Sequence, residues 1–217
     1  MGSHPTFRDL IGADTWRLLL AAGTLRSYQP GRDILRQGEP GGFLLALESG
    51  RVKLLATAED GARLLLTVRG GGHLLGELAG EDGRRTATVE AIDHCTARYL
   101  TLPQFTSRLT QLRLGPAYQR YVTGKFDQAV SRQVDLAHRS ALRRIARLLY
   151  DVVRLAPPEV QNPDRVPFTQ EELAGSLGLA RSTVAEQLTR LRSAGALAPG
   201  PQLIVADLDR LAELIGS

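Results

Sequence analysis

Four groups suited to a phosphorylated ligand lie close together in the chain: Gly76-Glu77-Leu78, followed after an acidic, glycine-rich turn by Arg85-Thr86. The segment after Gly76 is expected to form one short helical turn whose free N–H groups point at an anion. Arg85 offers a two-pronged contact to phosphate, Thr86 a hydroxyl, and Glu77 a carboxylate able to accept from a ribose hydroxyl. Each dipeptide is common in loops. Together they point to a phosphate-bearing ligand, the alternative being a degenerate pocket that binds nothing.

A second set of residues has the spacing of a nucleic-acid reader. Thr169-Gln170-Glu171-Glu172 is a capping box that opens a helix over Glu171 to Leu177, Gly178 makes the turn, and Arg181 to Ala194 is a second helix with Val184, Leu188 and Leu191 inward. A helix, a tight glycine turn and a longer helix form a helix-turn-helix. Leu197 to Val205, broken by Pro199-Gly200-Pro201, predicts a two-stranded wing, and Asp207 to Ile215 a last helix capped by Asp207. DNA contacts are expected from Thr169 at the cap and from Arg181, Ser182, Thr183, Glu186, Gln187 and Arg190 on the exposed side of the second helix.

These two sets must be positioned by the elements around them. Asp14 to Ala22 repeats apolar residues at helical spacing and stops at Gly23. From Thr24 to Thr101 the texture is short apolar or alternating runs (24–28, 33–36, 43–48, 51–57, 62–68, 86–91 and 96–101) broken by glycine turns such as Pro30-Gly31, Ser49-Gly50 and Gly70 to Gly72. That pattern predicts a small barrel or jelly roll. Pro116 to Ala137 reads as a connecting helix. Val122, Ala129 and Leu136 fall on one heptad line, Tyr118, Lys125 and Arg132 on its neighbour, and Phe126 lies alongside, which predicts a dimer contact through Tyr118, Val122, Phe126, Ala129 and Leu136, the alternative being an ordinary amphipathic helix packed on its own domain. Basic residues on that seam need an anion or carboxylate opposite them, so Lys125 is expected to border the ligand. Ser140 to Leu155 is a further amphipathic helix, ended by Ala156-Pro157-Pro158.

The 217 residues, 43% hydrophobic and 23% charged, suit two modest domains. The net charge is only +4, yet residues 112–154 carry nine Arg or Lys against three Asp, as a solvated face or a nucleic-acid footprint would. No run of 18 apolar residues exists and the first residues lack a signal-peptide layout, which predicts a cytoplasmic protein without membrane contact. The single Cys95 excludes an internal disulfide and a cluster needing several thiolates from one chain; a core position is expected for it. His4, His73, His94 and His138 have no metal-ligand spacing, and no catalytic residues or metal site are expected.

Tyr28-Gln29-Pro30-Gly31, Gln37-Gly38-Glu39-Pro40, Gly50-Arg51-Val52, Gly76-Glu77-Leu78 and Arg85-Thr86-Ala87-Thr88, with the helix-turn-helix behind them, resemble the CRP/FNR family of regulators related to the cyclic-AMP receptor protein. The resemblance implies an α+β chain: a cyclic-nucleotide-binding-type roll over 1–111, a dimerisation helix over 112–138 and a winged helix-turn-helix over 139–217. It implies no enzyme, and a homodimer on two-fold symmetric double-stranded DNA, with RNA polymerase as a further partner. Cyclic AMP or another cyclic (di)nucleotide is the implied effector, with Glu77 on the ribose and Arg85 and Thr86 on the phosphate. Two departures stand out. The loop between Glu77 and Arg85 is short and has no bulky apolar residue, and where the family sets adjacent hydroxyls against adenine this chain has Ala129 and Val130, with Ser131 the nearest hydroxyl. On the recognition helix Arg181 and Ser182 match base-contacting positions, whereas Glu186 replaces an arginine. A carboxylate only accepts, so cytosine's amino group becomes its natural partner. A ligand-independent factor of the same family is the leading alternative. A nucleotide-controlled regulatory subunit acting on a protein would leave the capping box, glycine turn and wing without a purpose.

Overall fold

A computed structural model describes residues 5–80 and 82–216, with the backbone alone at 135–137. Two short helices, α1 (Phe7–Ile11) and α2 (Ala13–Leu20), precede eight strands: β1 (Thr24–Tyr28), β2 (Asp33–Leu35), β3 (Phe43–Ser49), β4 (Val52–Thr57), β5 (Arg63–Arg69), β6 (Leu74–Leu75), β7 (Thr88–Ala91) and β8 (Cys95–Thr101). They form two four-stranded sheets of order β1-β8-β3-β6 and β2-β7-β4-β5, with every pairing antiparallel. The glycine-punctuated runs therefore fold as the expected roll. Gly50 shows why the turns need glycine. Its φ is +87°, and a Cβ there would sit 2.6 Å from Cys95 Sγ and 2.7 Å from the His94 carbonyl.

β3 reads as one apolar run because both of its faces are covered. Leu45 and Leu47 point between the sheets with Leu35, Val52, Val89, Ala97 and Cys95, while Leu44 and Ala46 point outward onto Phe7, Trp16, Leu100, Phe105 and Tyr121. The outer cluster is where the helices attach. α3 (Leu102–Gln111) and α4 (Gly115–His138) follow the roll, and α1 and α2 close the same side. Neither α1, α3 nor β6 was marked by the sequence pattern. α1 is held by a reciprocal box in which Thr6 Oγ1 accepts from the Asp9 N–H and the Asp9 carboxylate accepts from the Thr6 N–H.

The reader comprises α5 (Ala141–Arg154), α6 (Gln170–Leu177), α7 (Arg181–Ser193) and α8 (Leu208–Gly216). Its wing is slight, with single bridges Leu197 to Val205 and Arg165 to Ile204 where two strands were expected. Its core of Ile145, Leu149, Val152, Leu173, Val184, Leu188 and Leu191 does not stop at the domain edge. Leu55, Leu65 and Val68, from the outer face of β4 and β5, belong to the same buried cluster. The reader is thus packed on the roll as well as tethered by α4. Two polar contacts reinforce this packing. Lys53 Nζ lies 2.8 Å from Glu90 and 3.5 Å from Glu172 of the α6 capping box. Arg51, 1% exposed, makes a bidentate pair with Asp93 and donates from Nη1 to the Val152 carbonyl at 2.7 Å.

Candidate effector pocket and nucleic-acid interface

The roll pocket differs from the expectation in its backbone. Gly76 takes φ +77°, but no helical turn follows; Ala79 instead pairs with Arg85, and Pro40 with Arg84, in isolated antiparallel bridges. The short loop folds back on itself instead of forming a helical turn: the Gly80 N–H donates to the Arg84 carbonyl at 2.8 Å and the Gly83 N–H to the Gly80 carbonyl at 2.9 Å. Arg85 is brought to Gly76 and Glu77 as expected, yet it is 4% exposed and its guanidinium serves the protein's own backbone. Nη1 donates to the Gly76 carbonyl, Nη2 to the Phe43 carbonyl at 2.7 Å, and the group stacks 4.5 Å from the Phe43 ring. Burial lowers its pKa, with Glu77 the largest opposing charge. Thr86 and Leu78 are exposed, as is Ser131 on α4.

Glu77, whose side chain is 2% exposed, is ion-paired to the Lys125 ammonium, and Lys125 also donates to the Leu74 carbonyl at 2.9 Å. The carboxylate that Lys125 required is therefore supplied from within the chain. Burial pulls the Lys125 pKa down, and Glu77 opposes that pull. Beside this pair, Tyr121 Oη accepts from the Leu74 N–H at 2.9 Å and meets His73 Nδ1 at 3.1 Å. His73 is 3% exposed; burial, then Arg69, then Lys125 push its pKa well below the ordinary imidazole value. Sequence alone could not single out Arg69, His73 and Tyr121, because a lone polar residue in an apolar run carries no spacing signal.

The helix-turn-helix is built as its sequence demands. Thr169 and Glu172 exchange both capping hydrogen bonds, at 3.1 and 2.8 Å, and Gly178 turns the chain in the left-handed region at φ +59°. Val184, Leu188 and Leu191 are fully buried. Arg181, Ser182, Glu186 and Arg190 are exposed, with Thr183 half-buried. Gln187 departs from the expectation. It is 6% exposed and its amide oxygen accepts from Arg190 Nη1, because residue 187 flanks the inward-facing 191 on the helical wheel, at the edge of the buried stripe. Thr189 and Ala185 take the outward places beside Glu186 and were missed. Arg181 is engaged by Glu171 of α6; both side chains are well exposed, so the pair contributes little and yields readily to a base or phosphate.

On α4, Phe126 is 74% exposed, Val130 53% and Val134 54%, and Ala129 is exposed while Val122 is half-buried. The outward apolar line thus advances by four residues, beside the heptad line read from sequence. Tyr118 turns the other way: it packs edge-on against Phe105, with ring centroids 5.3 Å apart, and against Phe7 at 6.1 Å, completing the chain's own aromatic cluster. The Leu136 side chain lies outside the described residues. Among the described residues no helix is long and apolar enough to cross a membrane, and no group of three or more His, Cys, Asp or Glu could hold a metal ion. Cys95 is buried, and its thiol pKa is pushed up to about 12, mainly by burial.

Comparison with known proteins agrees with this architecture. The family described as "Cyclic nucleotide-binding domain" matches residues 25–111, and that described as "Crp-like helix-turn-helix domain" matches residues 143–214. The fumarate and nitrate reduction regulatory protein of Escherichia coli (strain K12) is 25% identical over 88% of this chain and 78% of its own. The transcriptional activator protein anr of Pseudomonas aeruginosa is 27% identical over 88% of this chain and 80% of its own. Among solved structures, the c-di-GMP-responsive global regulator CLP of Xanthomonas campestris superposes with a TM-score of 0.70 at 25% identity, covering 90% of this chain and all of that one. FixK2 of Bradyrhizobium japonicum has the same fold, with a TM-score of 0.72 at 21% identity over 88% of this chain and 96% of its own.

Proposed function

Because the chain belongs to the CRP/FNR family, whose members are transcription regulators and not enzymes, we propose that it acts as a homodimer on two-fold symmetric double-stranded DNA, joined through α4. The observation that carries this is the exposed line Phe126, Val130 and Val134 on the side of α4 turned away from its own roll. Burying the exposed part of six such side chains, three from each copy, is worth roughly 5 to 11 kcal/mol from the usual 1.5 to 3 kcal/mol per fully buried apolar residue. Association costs about 4 to 15 kcal/mol. The line alone therefore brings the balance near zero, and the remaining helix contact decides the affinity. Two copies would place two α7 helices on successive major grooves, with Ser182, Glu186 and Thr189 toward the bases and Arg181 and Arg190 at the edges. RNA polymerase is the partner that such a DNA-bound dimer would meet.

For the roll, the arrangement favours binding to DNA without a nucleotide, since Arg85 and Glu77 are both satisfied by groups of the same chain. A second reading has a specific observation behind it: Arg85 still stands beside Gly76, with Thr86 exposed next to it in the chain, in a roll of the cyclic-nucleotide-binding type, so a cyclic nucleotide or dinucleotide could displace the carbonyls from Arg85. Sedimentation and selection of bound DNA from a random pool separate these ideas. The wild type should sediment as a dimer at micromolar concentration and bind its selected site with no nucleotide added. Phe126→Glu with Val130→Glu should give monomers that lose that site. A monomeric wild type removes the dimer reading, and a rise of about tenfold or more in DNA affinity on adding cyclic AMP or cyclic di-GMP favours the second one.

A further inference from the structure

A cavity of about 340 Å³ opens between α1, the β5–β6 segment and α4, lined by Pro5, Arg69, His73, Arg120, Lys125 and Gln128 among others. Its lining carries three side chains that are cationic at neutral pH and no carboxylate; Glu77 lies behind it and is occupied by Lys125. Arg69 is the decisive group. It is 8% exposed, one Nη donates to Gln128 Oε1, and its Nε has no hydrogen-bond partner among the described residues. Among the described residues no carboxylate forms an ion pair with Arg69. Glu77 and Asp151, whose charges reach it, are held by Lys125 and by Arg147 and Arg132 respectively. A guanidinium keeps its charge in a protein, so Arg69 is a buried cation with an unused donor. Nothing in the roll pocket or the DNA-reading face calls for it.

We propose that this cavity binds a small oxyanion, bearing a carboxylate or phosphate group, at a site separate from the roll pocket of Gly76, Glu77 and Arg85. The Arg69 guanidinium and the Gln128 amide line the floor, and Arg120, exposed at the mouth, supplies a capture charge. At about 340 Å³ the cavity lies at the lower end of the range for small-molecule sites, which suits a metabolite-sized anion. Tyr121, Lys125 and Gln128 follow one another at helical spacing on the cavity face of α4, whereas Phe126, Val130 and Val134 occupy the other side, so dimerisation through that line leaves the mouth open. Arg69 is followed by Gly70, which lies against Leu155 at the end of α5. An anion here therefore sits where roll, connecting helix and reader meet.

The test is calorimetric titration of the full chain at constant ionic strength with inorganic phosphate, glycerol phosphate and succinate, with chloride as the control anion. At least one probe should bind saturably with a Kd of about 1 mM or tighter, and the phosphate and carboxylate arms identify the chemistry. Arg69→Met should weaken that binding by roughly tenfold or more, the loss of a charge-assisted donor. Arg120→Gln, an exposed change that leaves folding intact, should weaken it several-fold, while Arg84→Gln, equally exposed but on the roll loop, should leave it unchanged. Saturating cyclic AMP should not compete. The proposal is overturned if no probe binds saturably, if Arg120→Gln behaves as Arg84→Gln does, or if cyclic AMP displaces the anion.

Discussion

Replacing Arg51 with methionine should loosen the reader from the roll as well as destabilise the chain. Arg51 does three things at once: it pairs with both carboxylate oxygens of Asp93, it donates to the Val152 carbonyl, and its stem fills a fully buried position. The Val152 contact caps a helix end. At the last turn of α5 the Leu155 N–H reaches the Asp151 carbonyl and the Ala156 N–H that of Val153, so the Val152 carbonyl is served by Arg51 from the other domain, where a cation also suits the helix dipole. Removing one partner of a buried pair costs about 3 to 5 kcal/mol, and a buried carbonyl left bare about 1 to 3 kcal/mol. Asp93 keeps the Arg51 backbone N–H and is 13% exposed at its side chain, so the lower part of the combined range applies, about 4 kcal/mol. With a urea m-value of about 2 to 3 kcal/mol/M, the midpoint should fall by roughly 1.5 M. Trp16 fluorescence follows the roll, because Trp16 lies in its outer cluster, and far-UV circular dichroism follows the helix-rich reader. The two transitions should separate in the variant if Arg51 couples the domains. Adding Asp93→Leu should restore much of the loss by leaving no charge buried. An Arg51→Met midpoint within about 0.3 M of wild type, equivalent to less than 1 kcal/mol, would refute the reasoning.

His73 should make the folded state acid-sensitive. Its folded pKa is depressed, so the unfolded chain takes up a proton near pH 6.5 that the folded chain refuses, and stability present above about 6.5 should fall by up to roughly 1.4 kcal/mol per pH unit below it. His73→Gln should flatten that slope, and equal slopes for both proteins between pH 6.5 and 5.5 would exclude His73 as the cause. Glu186→Arg should create a preference for guanine opposite residue 186 worth about 1 to 3 kcal/mol per half-site, read by selecting bound DNA; identical sites for both proteins would show that residue 186 does not face a base. Gly50→Ala combines a φ of +87° with a Cβ 2.6 Å from Cys95 Sγ, and should cost about 3 kcal/mol or more in a urea melt, from backbone strain plus overpacking.

Much of the architecture was legible because its signals are local. A glycine at a left-handed turn, a capping box spanning four residues and an apolar residue every second or fourth place act within a few positions of the chain, so strands, helix-turn-helix and connecting helix could be read directly. β6, with two residues, and α1, with five, are too short to show a period, whereas α3 was missed although Leu102, Phe105 and Leu109 fall at helical spacing behind a Thr101–Gln104 capping box. Gln187 went astray through the wheel position of a polar residue, which only packing against α5 and α6 fixes inward.

The residues themselves show which groups carry charge and hydrogen-bonding capacity, and their spacing singled out Gly76, Glu77 and Arg85, which the fold brings together. Tertiary structure alone decided what those groups do. Lys125 is 48 residues from Glu77, Arg51 is 101 from Val152, and Arg69 is 59 from Gln128. Whether such partners meet depends on strand order and on the angle at which α4 crosses the roll, and neither leaves a trace in local spacing. Hence Arg85 could be read as a phosphate ligand from its neighbours in the chain, while its commitment to the Gly76 and Phe43 carbonyls emerged only once the roll had closed around it. A buried charge is satisfied by whatever the fold brings within reach, and that reach is a property of the packed chain.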